Sequence, residues 1–191
     1  MEENYKLERE YKIPSELFSE AYLEFQKKFV YPKSRIYTIL FAIIAAALLI
    51  FGIAAMGDAS RKQKYIVYLA IMVAAACAAR EWYNPKRIRR NLTTSVKALG
   101  EPVYKIGIAD KYADISTVSD DLSNIPEEER DIPEDLDPLP EKTRINADGS
   151  FQLMEYDRFF LMMSGKEVFY ILPKEGFSEE ELDTVRKLKE Q

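Results

Sequence analysis

The stretch IYTILFAIIAAALLIFGIAAMG, Ile36–Gly57, decides how the rest of the chain is read. Its 22 residues carry no charge. As a helix they cover about 33 Å, enough for the hydrocarbon core of a bilayer. A buried helix of a soluble protein usually shows a polar edge, and this one shows none. The next apolar run, YIVYLAIMVAAACAAR, Tyr65–Arg80, has an uncharged part of only 15 residues, about 22 Å of helix. Lys64 and Arg80 can snorkel, and Trp82 and Tyr83 suit the headgroup level, so the segment counted to Tyr83 nearly spans. With DASRKQK as the turn, the two runs read as a transmembrane hairpin with spans 36–57 and 65–83.

The flanking charges orient it. Lys27, Lys28, Lys33 and Arg35 precede the first span, and Arg80, Lys86, Arg87, Arg89, Arg90 and Lys97 follow the second. The turn between the spans carries only Arg61, Lys62 and Lys64. Ten basic residues against three place both termini in the cytoplasm. The expectation is a two-span protein of the cell membrane with the bilayer as its first partner. The cluster PKRIRR, with Lys86, Arg87, Arg89 and Arg90, is the candidate contact for anionic lipid, beside its plainer role as a topology signal. Ala70, Ala74 and Ala78 form one stripe of small residues on the second span, and Ala42 and Ala46 offer a similar patch on the first, both suited to packing within the hairpin. Neither apolar run holds an ionisable residue, which counts against an ion path. Cys77, the sole cysteine of the 191 residues, reads as a small packing residue.

Composition narrows the chemistry. The chain has no histidine, which removes the commonest general base and metal ligand. Charge is uneven, +7 over residues 1–97 and -12 over 98–191. So acidic a C-terminal half is a poor partner for nucleic acid. The charged N-terminus lacks a signal-peptide core, so no cleavage is expected.

Outside the spans the periodicity changes. YKLEREYKI, Tyr5–Ile13, alternates as a strand with Arg9 interrupting its apolar side, which suits a sheet edge. Pro14 ends it, and Ser15 starts a helix to about Val30 that carries Leu17, Phe18, Ala21, Tyr22, Phe25 and Phe29 on one stripe. After a basic juxtamembrane helix or linker, 84–102, VYKIGIA and YADISTV read as a hairpin turning at Asp110–Lys111. The stretch 119–142 holds ten acidic residues and four prolines. It is expected to be an extended acidic insertion, and it or a sheet edge is the candidate docking point for a protein partner. TRI, SFQLMEY, RFFLMM and EVFYIL follow as strands, with a hairpin turn expected at NADGS. Pro173 is expected to end strand pairing. Phe177, Ser178, Glu181 and Leu182 then carry the signature of a capping box with a hydrophobic staple, opening a final helix.

The order of these elements, and above all ILPKEGFSEEEL preceded by EYDRFFLMM, resembles the YcxB-like family of bacterial membrane proteins. The resemblance covers most of the chain, apart from the acidic insertion. It implies a small β domain closed by a helix, similar to pleckstrin-homology folds, and it implies no catalytic residues. The expected fold class is therefore an α+β membrane protein: 1–35 an N-terminal strand and amphipathic helix, 36–83 the hairpin, 84–102 a basic linker, and 103–191 a cytoplasmic antiparallel β domain closed by a C-terminal helix.

Two chemical readings were weighed. RINADGSFQLME spaces Asn146, Asp148 and Glu155 like part of a calcium loop, but its first ligand position is Arg144, a cation. Glu155, Asp157 and Arg158 form a charged group with no nucleophile in sight. Neither cofactor nor metal is expected. The function expected is a membrane-anchored interaction or regulatory module without catalysis. The alternative is a membrane enzyme or transporter accessory subunit using Glu155 and Asp157.

Overall fold

The computed structural model describes residues 5–54, 57, 60–98, 100, 102–119, 142–165 and 168–189. Their contacts divide the chain into two units, Met1–Ala21 with Leu92–Gln191, and Tyr22–Asn91. The expected acidic insertion lies, but for its end residues, outside the described residues.

The first unit is built of antiparallel β-structure. Strand β1, Leu7–Lys12, pairs with β2, Val103–Ile108, from Leu7 opposite Ile108 to Lys12 opposite Val103. β2 pairs with β3, Tyr112–Ser119, through the expected hairpin, and Ala109 N–H donates to Tyr112 C=O at 2.9 Å across the turn. β3 pairs with β4, Lys142–Asn146, to complete a four-stranded sheet in the order β1-β2-β3-β4. The remaining strands, β5 (Phe151–Glu155), β6 (Phe159–Ser164) and β7 (Val168–Pro173), form a three-stranded sheet in that order. β1 is thus an edge strand, as its interrupted apolar face implies. The N-terminal strand and the first part of the helix that follows it, Ser15 to Ala21, group with the C-terminal strands.

Both sheets and the last helix, α4 (Glu179–Lys187), contribute to one core. It joins Leu7, Ile106, Ile108, Ile115 and Ile145 of the first sheet with Leu153, Phe160, Met162 and Leu172 of the second and Leu182, Val185 and Leu188 at the C-terminus. Residues Phe159 to Met163 of β6 are buried without a break, so this middle strand is covered on both faces.

One local expectation needs correction. NADGS is not a hairpin turn, because β4 pairs within the first sheet and β5 within the second. It turns the chain from one sheet to the other. The Asp148 carboxylate accepts from Ser150 N–H at 2.8 Å and from Ser150 Oγ at 2.6 Å, a tight side-chain-to-backbone turn. Pro173 is the last residue of β7, as expected: it sits opposite Phe159 at the end of the paired register, and a single further bond, from Lys174 N–H to Arg158 C=O at 2.9 Å, follows it. β7 is the outer strand of its sheet, where a missing N–H on the open side costs no ladder bond.

Beyond Lys174 the chain turns through Gly176, whose φ of 85° suits the third position of a type II turn. Phe177 N–H donates back to Lys174 C=O. Ser178 then caps α4: its Oγ accepts from Glu181 N–H, and Glu181 Oε2 accepts from Ser178 N–H at 2.7 Å. Replacing Ser178 with alanine is expected to cost about 1 kcal/mol. A thermal melt of the detergent-solubilised chain reads this as a lowered midpoint.

The second unit is helical. Helix α1, Ser15–Phe25, which starts in the first unit, passes into a π-helical turn, Gln26–Val30, and then α2, Tyr31–Ala54. The expected break at Val30 is absent: Tyr31 N–H donates to Gln26 C=O, five residues back, so the helix widens instead of ending. Helix α3, Arg61–Ala98, runs unbroken through Pro85 and takes in much of the expected linker.

Of the small-residue stripes, Ala74 is buried and Ala70 and Ala78 are half-buried, whereas Ala42 and Ala46 face outward. The close approach falls at Gly52, where an added Cβ would come within 2.6 Å of Val67 Cγ1. The inward positions of α2 include Ser34, Thr38, Phe41, Ala45, Leu48 and Gly52, spaced alternately four and three apart, the seam of a helix pair.

Candidate functional site

Proline in the middle of α3 has a defined consequence. Pro85 has no N–H, so the carbonyl four residues earlier, that of Glu81, loses its helical donor. Ser34 of α2 fills the vacancy: its Oγ donates to Glu81 C=O at 2.5 Å. One turn further, the buried Gln26 donates from Nε2 to Pro85 C=O at 2.7 Å. A π-turn and a serine thus meet the irregular point of the facing helix, the repair that apolar surroundings demand.

The residues after Pro85 are the basic candidates. Lys86, Arg87 and Arg90 are exposed and Arg89 is half-buried. At 100° per residue they and Trp82 fall within an arc of roughly 160°. Lys86 Nζ lies 3.8 Å from the centroid of the Trp82 ring, a cation–π contact beside an aromatic of the interfacial type. The structure therefore puts all four predicted side chains and one aromatic on one broad side of α3.

Both α2 and α3 are long and apolar enough to cross a membrane, and their most apolar windows are 0% and 6% buried. Ile36, Ile39, Ile43, Ile50 and Phe51 of α2 and Ile66, Leu69 and Met72 of α3 stand outward. This is the reverse of a soluble core helix, whose apolar face is covered.

Glu155 and Asp157, the acid–base candidates, are not brought together as a pair. Glu155 closes β5 and accepts from Lys174 Nζ and from Arg186 Nη2, each at 2.8 Å. Those two cations hold its carboxyl down to about 2. Asp157 lies in the following turn, on a polar surface depression with Arg158, Lys174 and Arg186. Arg158 instead reaches Glu20, at 2.9 Å.

Two arrangements were not foreseen from sequence. The first surrounds Asp114, whose side chain is 2% exposed. Arg144 grips it with both Nε–Oδ1 and Nη2–Oδ2 at 2.8 Å, and Tyr5 donates its hydroxyl at 2.7 Å. Lys142 stands 3.3 Å away. Burial alone pushes this carboxyl up, but the donors from Arg144, Tyr5 and Lys142 outweigh it and bring it to about 2. The Tyr5 ring lies on bare backbone at Gly107, where a Cβ would stand 2.8 Å from it. The sequence signal was an aspartate interrupting the apolar side of no face: in YADISTV it alternates with Ala113 and Ile115, so it belongs to the outer side of the sheet.

The second is a cavity of about 290 Å³ in the β unit, lined among others by Tyr11, Phe18, Tyr104, Ile115, Thr143 and Tyr170. No charged side chain lines it among the described residues. Tyr11 and Tyr104 face each other at 5.8 Å between ring centroids. Burial, then the neighbouring Tyr104 and Tyr170, push the Tyr11 hydroxyl well above the ordinary phenol range. Tyrosines at alternate strand positions were visible in sequence, but nothing there distinguishes a pocket wall from a packed core.

Comparison with known proteins finds no matching family model, curated protein or solved structure.

Proposed function

We propose that this chain is a membrane-anchored interaction module without catalytic activity, related to the YcxB-like family of bacterial membrane proteins. α2 and α3 cross the cell membrane, both termini face the cytoplasm, and the β unit works there as a pleckstrin-homology-like platform. The observation that carries the reading is the division of apolar surface. The β unit buries its apolar residues in a core of its own, while α2 and α3 turn theirs outward. Two antiparallel sheets closed by a C-terminal helix support the platform architecture.

The side of α3 with Lys86, Arg87, Arg89, Arg90 and Trp82 suits anionic headgroups at the bilayer surface. The outer strands β4 and β5, and the acidic stretch 119–142, are the places a protein partner would take. Glu155 has a structural partner set that supports this reading: Lys174 and Arg186 each donate to it at 2.8 Å, an ion-pair cluster that ties β5 to the chain after β7 and to α4.

The test is topological first. The full chain is expected to stay in the membrane pellet after alkaline extraction. A protease site placed at Ser119 should be cut only once cells are opened; cutting from outside intact cells overturns the orientation. In the same membranes, crosslinking with and without residues 119–142 should reveal one protein lost on deletion. Retention of every crosslink removes that segment from the partner surface.

A further inference from the structure

Tyr11 is 7% exposed, and among the described residues its hydroxyl has no hydrogen-bond partner. The hydroxyl is not among the fully enclosed unpartnered polar atoms, so it is open to a partner from outside the chain. Here the hydroxyl belongs to a side chain lining the 290 Å³ cavity. We propose that this cavity binds an uncharged single-chain amphiphile, with the apolar chain in the cavity and an oxygen of the ligand accepting the hydrogen of Tyr11.

The ligand class follows from the walls. Ile13, Phe18, Ile115 and Phe169 give an apolar lining, which favours hydrocarbon. The absence of charge among the described lining residues disfavours a carboxylate or phosphate, whose hydration would be lost without compensation. The volume stands at the lower end of the roughly 300–1,000 Å³ typical of small-molecule sites, which admits one chain and not two. Tyr11 stays protonated across physiological pH, because burial raises its hydroxyl, so it can only be relied on as a donor. A fatty alcohol or a monoacylated ester has the required acceptor. This inference rests on the membrane reading above insofar as a bilayer is the supply of such molecules.

The full chain, reconstituted in phosphatidylcholine nanodiscs, is exposed to a diazirine-bearing dodecanol and, separately, to the matching dodecanoate. Adducts are mapped by peptide mass spectrometry. The expected result is saturable alcohol labelling on the peptides of β1, β2 and β7, competed by plain dodecanol and at least about tenfold weaker for the carboxylate. Thr143→Trp, which fills the cavity, should abolish it. Tyr11→Phe keeps the shape and should weaken it about five- to tenfold, the worth of one hydrogen bond. Labelling confined to α2 and α3 overturns the cavity proposal and leaves the membrane reading standing. Labelling of the cavity alone supports the proposal and overturns the membrane reading. Equal labelling by dodecanoate, no effect of Tyr11→Phe, or no labelling at all, as a cavity holding only water would give, also overturns the proposal.

Discussion

Asp114→Ala is expected to lower the stability of the β unit by about 3 kcal/mol, among the largest effects of any single substitution in it. The carboxylate is 2% exposed and takes bonds from Arg144, Tyr5 and Lys142. Removing it leaves the Arg144 guanidinium and the Tyr5 phenol without their shared acceptor and opens a gap where a side chain 2% exposed had stood. Urea unfolding in mild detergent, followed by far-UV circular dichroism, measures the loss; a change under about 0.5 kcal/mol would show the cluster to be an ordinary surface pair.

The pH dependence has a definite sign. The folded carboxyl lies near 2, below its ordinary 3.8. Its contribution is therefore fully present above about pH 5 and is lost as pH falls toward 2, roughly 2 kcal/mol in all. Asp114→Asn should remove that part of the acid sensitivity. Glu155 is depressed over the same interval, so the quantity to compare is the difference between the two proteins' stability curves. Because Glu155 is 40% exposed, solvent screens its share.

The second large effect concerns Ser34. In the native chain Ser34→Ala should cost about 1–2 kcal/mol, because Glu81 C=O then has no donor. In a Pro85→Ala background the helix supplies its own N–H to Glu81, and Ser34→Ala should cost almost nothing. The signature is this coupling of about 1 kcal/mol or more between two residues that never touch through their side chains. Titration with a denaturing detergent, read as loss of α3 helicity, gives all four corners of the cycle. Equal costs in both backgrounds would mean that Ser34 serves some neighbour other than the carbonyl freed by Pro85.

How much of this was legible in the sequence depends on the range of the interactions. The two long apolar helices, the β2–β3 hairpin and the capping box at Ser178 rest on residues within a few positions of one another, and local patterns report them well. Arg9 marked β1 as an edge strand correctly, and the structure adds that it donates to Gly176 C=O at 2.8 Å. NADGS was misread because a turn signal says that the chain reverses, not which sheet it enters. Pro173 was read as the end of a strand, and β7 ends there, because the lack of an N–H is a property of that one residue. The Arg144 and Tyr5 bonds to Asp114 and the Gln26 and Ser34 bonds join residues separated by 30 to 109 positions, far beyond the reach of a local sequence pattern. The cavity is the hardest case, because a gap in packing leaves no residue of its own.

The pairing of Lys12 with Val103 has a consequence for how the protein is made. The first strand leaves the ribosome with no partner. Roughly ninety residues, including both apolar helices, must be synthesised before its neighbour appears. At about 5–20 residues per second the delay is some 5–20 s. Through that interval Leu7 and Tyr11 are unpaired beside a strand edge open to any passing chain. The alternating charges of LEREYK are then a protective device in the nascent chain as much as a surface in the finished one.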